Sequence, residues 1–424
     1  MFDKRVSLAL LAVTASLLTA CGADPCQGVQ GRCVGFTKAT TEKQIQEAFV
    51  SAQAGTTFSF GEGTFSFENA LLLESVNNVT LQGAGSTKTV LDFKNQKAGS
   101  EAISADNTDN FTVRDLAVRD SKGDGIKVLG ASGVRFQRVH VSWTGANPTE
   151  HGAYGLYPVQ CDKVLIESSF VSGASDAGIY VGQSRDIVVR RNEATQNVAG
   201  IEIENSHRAD VYENQVHGNT GGLLVFGLPG LQQPDGHTVR VFNNDIRDNN
   251  TANFAPAGNI VATVPRGTGV LVMANRNVEV FNNTITNSKT ASLSIISFLL
   301  TGQPIGDPNY SPFTSNVYIH DNTFTGGGDD PDPNVRLGQA LAAHKAAMGG
   351  RIPDILYDGI VNPRATGTKP GNAADICVGS ATSFINLHAD QADPNTGAFT
   401  HMSPEVAPFG CTLAALPAVT FDGL

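Results

Sequence analysis

Apolar residues recur along the chain in a frame of eight positions, of which the third and the eighth are apolar in every copy. The frame begins at residues 111, 134, 164, 187, 209, 239, 278 and 317, so successive copies start 23, 30, 23, 22, 30, 39 and 39 residues apart. A unit of 22 to 23 residues therefore recurs, and the longer gaps are that unit with an insertion. A period of this length is typical of a solenoid, in which each repeat packs on its neighbours.

The two apolar columns, from Val113 to Ile319 and from Val118 to Phe324, predict two strands in each repeat. Equivalent residues would stack on neighbouring coils at about 4.8 Å and bury a continuous stripe. A third strand follows a glycine in most copies, at Gly125, Gly178, Gly200, Gly222 and Gly269. Three short strands per turn predict an all-β fold, a right-handed parallel β-helix of about ten coils.

An asparagine column marks the bend between two strands of each coil. Asparagine tolerates left-handed backbone angles, and its amide can bond to the equivalent amide one coil away. We therefore predict a structural ladder here and not a functional site. Its members are Asn192, Asn214, Asn244, Asn283 and Asn322.

The N-terminus has the pattern of an export signal. Lys4 and Arg5 precede an apolar run over residues 6–18, which is short for a membrane-spanning helix. The run ends in Leu-Thr-Ala-Cys at Cys21, a tetrapeptide that resembles the bacterial lipobox. The resemblance implies cleavage before Cys21, lipidation there and anchoring in the cell envelope. Because Gly22 follows and not aspartate, it also implies the outer membrane; the alternative is an ordinary secretory signal with a chance cysteine.

The remaining chain divides by its repeat content into a tether at 21–40, the β-helix at 41–330 and a C-terminal capping region at 331–424, after the signal at 1–20. Residues 41–53 predict an amphipathic helix with Thr41 as its N-cap, which would close the first coil. Residues 335–348 predict a second helix, and the segment after it is irregular.

Export to an oxidising compartment permits disulfides, and the candidates are Cys26, Cys33, Cys377 and Cys411. Cys161 is left over and is expected to be a buried structural thiol. Cysteine and histidine show no zinc-binding spacing, so we predict no metal site and no cofactor. The acidic run at 327–332 could bind Ca²⁺ through oxygen ligands, but it lacks the spacing of a calcium loop.

The net charge of -11 argues against a nucleic-acid partner. We expect a polysaccharide or an envelope protein as the partner, with the membrane reached only through Cys21.

The insertions are grouped, and they indicate where a site would lie. Extra residues fall at 142–153 and 247–266, before the glycine-led strand, and at 226–236 and 296–314, after it. Loops at both corners of one strand column are expected to wall a groove. Its floor would be the outward residues of that strand: Lys127, Tyr157, Tyr180, Glu202, Glu204, Leu224, Phe226, Leu271 and Met273.

Two kinds of chemistry are candidates on this floor. Tyr157 and Tyr180 could stack on sugar rings, with Lys127, Asp176 and Phe226 as further ligand contacts. Glu202 and Glu204, two apart on a strand, would lie about 7 Å apart, as in the carboxyl pair of an inverting glycosidase. For this pair the alternatives are a solvated strand and a simple ligand contact. Asp176 precedes the glycine of its strand and could instead cap a turn, and Asp124, in the equivalent position, is expected to cap a turn. His151, in the first wall, could supply a base or could simply be solvated.

Residues 153–161, 175–182 and 199–206 resemble the pectin-lyase-like right-handed β-helix superfamily. More closely, they resemble a family of bacterial lipoproteins with tandem parallel β-helix repeats, which has no assigned activity. Enzymes of the wider superfamily cleave or epimerise polysaccharides. Their Gly-His-Gly, Asp-Pro-His-Asp, Trp-Ile-Asp-His and Arg-x-Pro-x-x-Arg signatures are absent, so the resemblance carries over no catalytic residue.

Three functions remain open from the sequence. The first is a glycan-binding or glycan-processing protein, a hydrolase, lyase or epimerase if it is an enzyme. The second is a non-catalytic scaffold that binds a protein through the apolar end of the groove. A metallochaperone-like role ranks last, because the nine histidines and four methionines do not cluster.

Overall fold

A computed structural model describes residues 24–381, 383–393 and 395–422. The signal at 1–20 and the lipidation candidate Cys21 lie outside the described residues. The described part forms three parallel sheets and two α-helices, α1 (Glu42–Val50) and α2 (Arg336–Met348). The predicted all-β, right-handed parallel β-helix is confirmed.

Successive coils add one short strand to each sheet, and all strand pairs between coils are parallel. The first sheet contains Arg32–Phe36, Thr56–Phe60, Thr80–Gln82, Thr112–Arg114, Ser132–Gln137, Asp162–Glu167, Arg185–Arg190, His207–Tyr212, His237–Phe242, Arg276–Phe281, Ser315–His320 and Ile376–Cys377. The second contains Gly63–Ser66, Thr89–Asp92, Ala117–Arg119, His140–Ser142, Phe170–Ser172, Glu193–Thr195, Gln215–His217, Asp245–Arg247, Thr284–Thr286 and Thr323–Thr325. The third contains Asn69–Glu74, Ala98–Asp106, Asp124–Leu129, Tyr154–Val159, Ala177–Gly182, Ala199–Glu204, Gly221–Phe226, Thr268–Met273, Ala291–Ile296, Ile355–Tyr357 and Phe384–Asn386.

The apolar columns of the repeat form the core inside the coils. Val211 lies in register with Val189 and with Val241, and all three are fully buried. A glycine is the second residue of most strands of the third sheet, and the close approach of the coils requires it there. A Cβ added at Gly200 would lie 2.4 Å from Cγ1 of Val216 and 2.8 Å from the carbonyl oxygen of Gly222. The period therefore fixes both the inward residues and the tight corner.

The asparagine ladder is present as predicted. The side-chain amide of Asn214 donates to Oδ1 of Asn244 at 2.9 Å, and the amide of Asn192 donates to Oδ1 of Asn214 at 3.0 Å. A second, unpredicted ladder joins the side chains of Asn197, Asn219 and Asn249 at 3.1 and 2.9 Å. Each of its members stands five residues after a member of the first ladder, so the spacing was a usable signal.

The N-terminal end is closed as expected. Thr41 caps α1 with a reciprocal bond to Gln44, and Phe49 of α1 stacks on Phe58 of the first sheet at 4.3 Å. The tether is shorter than expected, because Arg32–Phe36 already pairs with Thr56–Phe60. Phe36 is buried at this edge, and the burial of its ring stabilises the pairing of the strand.

The C-terminal region continues the coils as well as capping them, since three of its segments join the first and third sheets. Disulfides join Cys26 to Cys33 and Cys377 to Cys411. Cys161 is buried, and burial raises the pKa of its thiol to about 12, as a structural thiol requires.

The last described residues run back across the first sheet. The backbone N–H of Leu416 donates to Glu279 at 3.0 Å, and that of Val419 donates to Asp210 at 3.1 Å. These carboxylates stand two strands apart, about 9.6 Å, and three residues of polyproline II advance about 9.3 Å. Between these two contacts the tail crosses two coils.

Candidate functional site

The outward face of the third sheet is covered over its C-terminal half. Leu224, Phe226 and Met273, expected on an open floor, are at most 1% exposed. That expectation was wrong, because the insertions fold over the strands and build a second apolar core there. The covering residues include Val261, Phe298 and Tyr310 from the insertions and Leu341 and Ile352 from the C-terminal region.

The N-terminal half of the same face is open. Leu72 is 57% exposed, and Lys127 and Tyr157 further along its column are half-buried. The ammonium of Lys127 lies 3.3 Å from Oε1 of Glu101 and 5.6 Å from the centroid of the Tyr157 ring. This half presents an aromatic ring beside a charged pair.

Three tyrosines stand at the boundary between the two halves. The rings of Tyr154, Tyr157 and Tyr180 pack together with centroids 4.5 to 5.0 Å apart. Tyr154 and Tyr157 are half-buried, whereas Tyr180 is only 5% exposed. The stacking role expected for Tyr180 is therefore wrong, since no sugar can reach its ring.

Tyr180 binds a carboxyl group instead. Its hydroxyl donates to Oε1 of Glu204 at 2.5 Å, on the next coil. The ring lies across Gly182, where an added Cβ would come within 2.3 Å of the Tyr180 hydroxyl. Because Gly182 is the register partner of Glu204, the glycine opens the path for this bond.

Behind the tyrosines lies a buried cluster of three carboxyl groups, those of Asp176, Glu202 and Glu204. Each is at most 6% exposed, so the solvated-strand interpretation of the two glutamates is wrong. Asp176 accepts a bond from the amide of Asn259 at 3.2 Å and lies 3.4 Å from the Tyr154 hydroxyl. Oε2 of Glu202 accepts no hydrogen bond from any described residue. Asn259, from the insertion at 247–266, thus covers the Asp176 end of the cluster.

Burial shifts the pKa values of these groups upward. It raises the pKa of Asp176 to about 7, helped by the negative charge of Glu204. Burial likewise raises the pKa of Glu204 to about 7 and that of Glu202 well above its usual value. Asp124, half-buried at the open end, has its pKa raised by burial to about 6. The cluster therefore holds protons near neutral pH, a property that buried structural carboxyl groups share with groups that exchange protons with a substrate.

The arrangement does not support the inverting-glycosidase pair. Glu202 and Glu204 are 1% and 6% exposed, so a glycosidic bond and an attacking water do not reach both carboxyl groups. The structure also does not bring His151 to them. Its Nδ1 lies 2.7 Å from the carbonyl oxygen of Gly173 and its Nε2 lies 3.1 Å from that of Gly145, in a separate hollow.

The acidic run is held by cations of the chain. Asp329 pairs with Lys289 at 2.8 Å and Asp330 pairs with Arg266 at 3.0 Å, which explains the run without calcium. Within residues 24–381, 383–393 and 395–422, no group of three or more His, Cys, Asp or Glu side chains is placed to hold a metal ion. None of the helices in these ranges is long and apolar enough to cross a membrane.

Comparison with known proteins identifies the family. The family model described as the right-handed β-helix region matches residues 76–231 and 149–297, which together span more than half of the 424 residues. The chain belongs to the right-handed β-helix family. No curated protein sequence matches it. The narrower lipoprotein resemblance stays a prediction.

Solved structures share this β-helix fold. The A-module of the mannuronan C-5 epimerase AlgE4 from Azotobacter vinelandii superposes with a TM-score of 0.52 and 20% identity, over 75% of this chain and 87% of that one. A polygalacturonase from Erwinia carotovora ssp. carotovora gives a TM-score of 0.47 and 12% identity, over 71% of this chain and 94% of that one. At these identities the likeness shows the fold alone.

Two residues beside the carboxyl cluster of this β-helix protein were not predicted as site residues. The strand pattern made no prediction for Tyr154 and predicted only a turn cap for Asp124. The register offered a signal, because Asp124, Tyr154 and Ala177 follow one another in a single outward column. The role of Asn259 could not be found this way, since it comes from an insertion without a repeat.

Proposed function

We propose that this β-helix protein binds a polysaccharide along the open half of its third sheet. The observation that carries the proposal is the half-buried ring of Tyr157, which lies beside Tyr154 and within reach of Lys127. Sugar rings offer apolar faces to aromatic side chains and hydroxyls to charged ones, and this surface supplies both. The shared fold of a mannuronan epimerase module is consistent with a sugar polymer on such a face.

We place any processing of the bound sugar at Asp124. Its pKa of about 6 suits proton transfer near neutral pH, and it is not fully buried, unlike Asp176, Glu202 and Glu204. Proton transfer is common to hydrolases, lyases and epimerases, so the reaction class is left to product analysis. The scaffold alternative loses its motivation, because its apolar residues, among them Leu224 and Phe226, are covered.

The test is glycan binding by the soluble chain that starts at residue 22. A glycan array selects the ligand, and calorimetry then compares Tyr157→Ala with Tyr318→Ala, a matched half-buried tyrosine on the first sheet. We expect Tyr157→Ala to weaken binding at least about tenfold, or about 1.4 kcal/mol, and the control to have no effect. Absence of any glycan ligand, or equal losses in both variants, would overturn the proposal.

We also propose that the chain is lipid-anchored at Cys21 in the outer membrane. The support is the lipobox-like Leu-Thr-Ala-Cys after a short apolar run. Mass spectrometry of the N-terminal peptide from separated membranes should find an acylated Cys21 in the outer-membrane fraction. A soluble mature chain with an unmodified Cys21 would refute the anchor.

A further inference from the structure

The covered half of the third sheet is not filled completely. A cavity of about 220 Å³ remains between the strands and the segments that cover them. Its floor is the outward side chains of three neighbouring coils, Phe226, Leu271, Met273 and Ile296. The floor is mainly apolar, with Ser294, the register partner of Leu271, as a polar member.

Three segments far apart in the sequence form the walls. The insertion before the third-sheet strand contributes Val264, the 3₁₀-helix Phe298–Thr301 contributes Leu300, and the start of α2 contributes Leu337. Protein interiors are close-packed, so a space of this size between three converging segments is unusual. An apolar cavity of 150 Å³ in another protein stays dry and binds benzene. The present cavity has room for a ligand of about nine to eleven heavy atoms.

One charged side chain lines this cavity. Arg336, the first residue of α2, is the only charged residue of the lining, and no aspartate or glutamate lines the cavity. No ion pair or hydrogen bond joins its guanidinium to another residue in the described ranges; the group lies over Gly397, where an added Cβ would come 2.9 Å from Nη2. An exposed, unpaired guanidinium favours an anion, and its planar fork matches a carboxylate.

We propose that this cavity binds a small amphipathic carboxylate, with a ring or chain of about six to nine carbons inside and the carboxylate on Arg336. The apolar floor selects the hydrocarbon part by burying it, and Arg336 selects the charge. The site is separate from the polysaccharide face and does not rest on the function proposed for that face.

The charge requirement is tested with a matched pair of ligands, 3-phenylpropionate and its uncharged amide, 3-phenylpropanamide. Calorimetry on the chain from residue 22 should show the carboxylate binding about tenfold more tightly than the amide. Arg336→Gln should abolish that difference, whereas Arg364→Gln, an exposed arginine outside the lining, should preserve it. Equal affinities in the wild type, or no binding of either ligand at about 10 mM, would overturn the proposal.

The location is tested by filling the space from the side of the 3₁₀-helix Phe298–Thr301. Leu300 is half-buried on a short 3₁₀-helix, so Leu300→Trp can enter the cavity without disturbing the sheet. We expect both ligands to lose binding in this variant, while in the wild type the carboxylate shifts the methyl NMR signal of Met273. Binding that persists in Leu300→Trp and leaves the Met273 signal unmoved would place the ligand elsewhere.

Discussion

The two halves of the third sheet share a backbone and a register but differ in surface chemistry. Lys127 and Glu202 occupy the same outward column. Lys127 is half-buried and paired with Glu101, whereas Glu202 is 1% exposed and one of its oxygens has no partner among the described residues. What differs is the cover: insertions reach across the later coils and not across the earlier ones. The repeat thus builds the surface, and the insertions decide its chemistry.

The largest expected loss of stability follows a substitution in the covered half. Phe226→Ala should lower the free energy of unfolding by about 4 kcal/mol, because it leaves a hole between the sheet and its cover. Leu72→Ala, in the open half and 57% exposed, should change it by less than about 0.5 kcal/mol. Urea unfolding measures both. Equal losses would mean that the two halves are packed alike.

Removal of the tail, residues 412–424, tests whether this thinner cover also stabilises the sheet beneath it. Leu165 and Val188 point outward from the first sheet yet are at most 2% exposed. They lie between Asp210 and Arg135, where the tail bonds at Val419 and Asp422. A chain that ends at Cys411 should lose about 2 kcal/mol by exposing them. An unchanged unfolding midpoint would show that the tail does not protect this face.

The pH dependence of the free energy of unfolding should also distinguish the two halves. Glu204 has a pKa of about 7 in the folded chain against 4.5 as its ordinary value, so the folded state holds its proton longer. Between these pH values the unfolded state binds fewer protons, and stability must fall as the pH rises. Glu204→Gln should reduce that fall by about 1 to 2 kcal/mol.

Unfolding at pH 4.5 and 7.5 measures the fall, and Glu213→Gln, an exposed partner of Arg191, is the control. The same pH dependence in the wild type and both variants would contradict the buried cluster.

The smallest loss of stability is expected for a substitution of a charged residue in the open half. Lys127→Met removes the pair with Glu101 but keeps the hydrocarbon stem of the side chain. Partly exposed ion pairs contribute little, so we expect a loss below about 1 kcal/mol at neutral pH. A loss as large as that of Phe226→Ala would show that the open half is also structurally essential.

The sequence predicted the fold because the coil is a local rule that repeats. Val113 and Val118 begin columns that need no knowledge of distant contacts, and the asparagine ladder follows from the same period. The glycine-led strand and α1, with its cap at Thr41, were found in the same way.

The site was predicted only in part, because its environment is not periodic. Lys127 and Tyr157 are on the open face as expected, but Tyr180, Glu202 and Glu204 are buried. The cover over them and over Asp176 includes Tyr310 and Asn259, which bonds to Asp176, and both lie in insertions with no repeat to align. Whether an insertion walls a groove or closes it depends on tertiary packing, which the strand pattern does not contain.

A carbon-13 NMR titration of the side-chain carboxyl groups tests the central claim most directly, because it needs no ligand and no substitution. Midpoints of about 6 for Asp124, which is partly buried in the open half, and about 7 for Asp176 and Glu204, which lie under the cover, are expected because burial raises the pKa of each carboxyl group. Midpoints near 4 for all three, the values of solvated carboxyl groups, would contradict it.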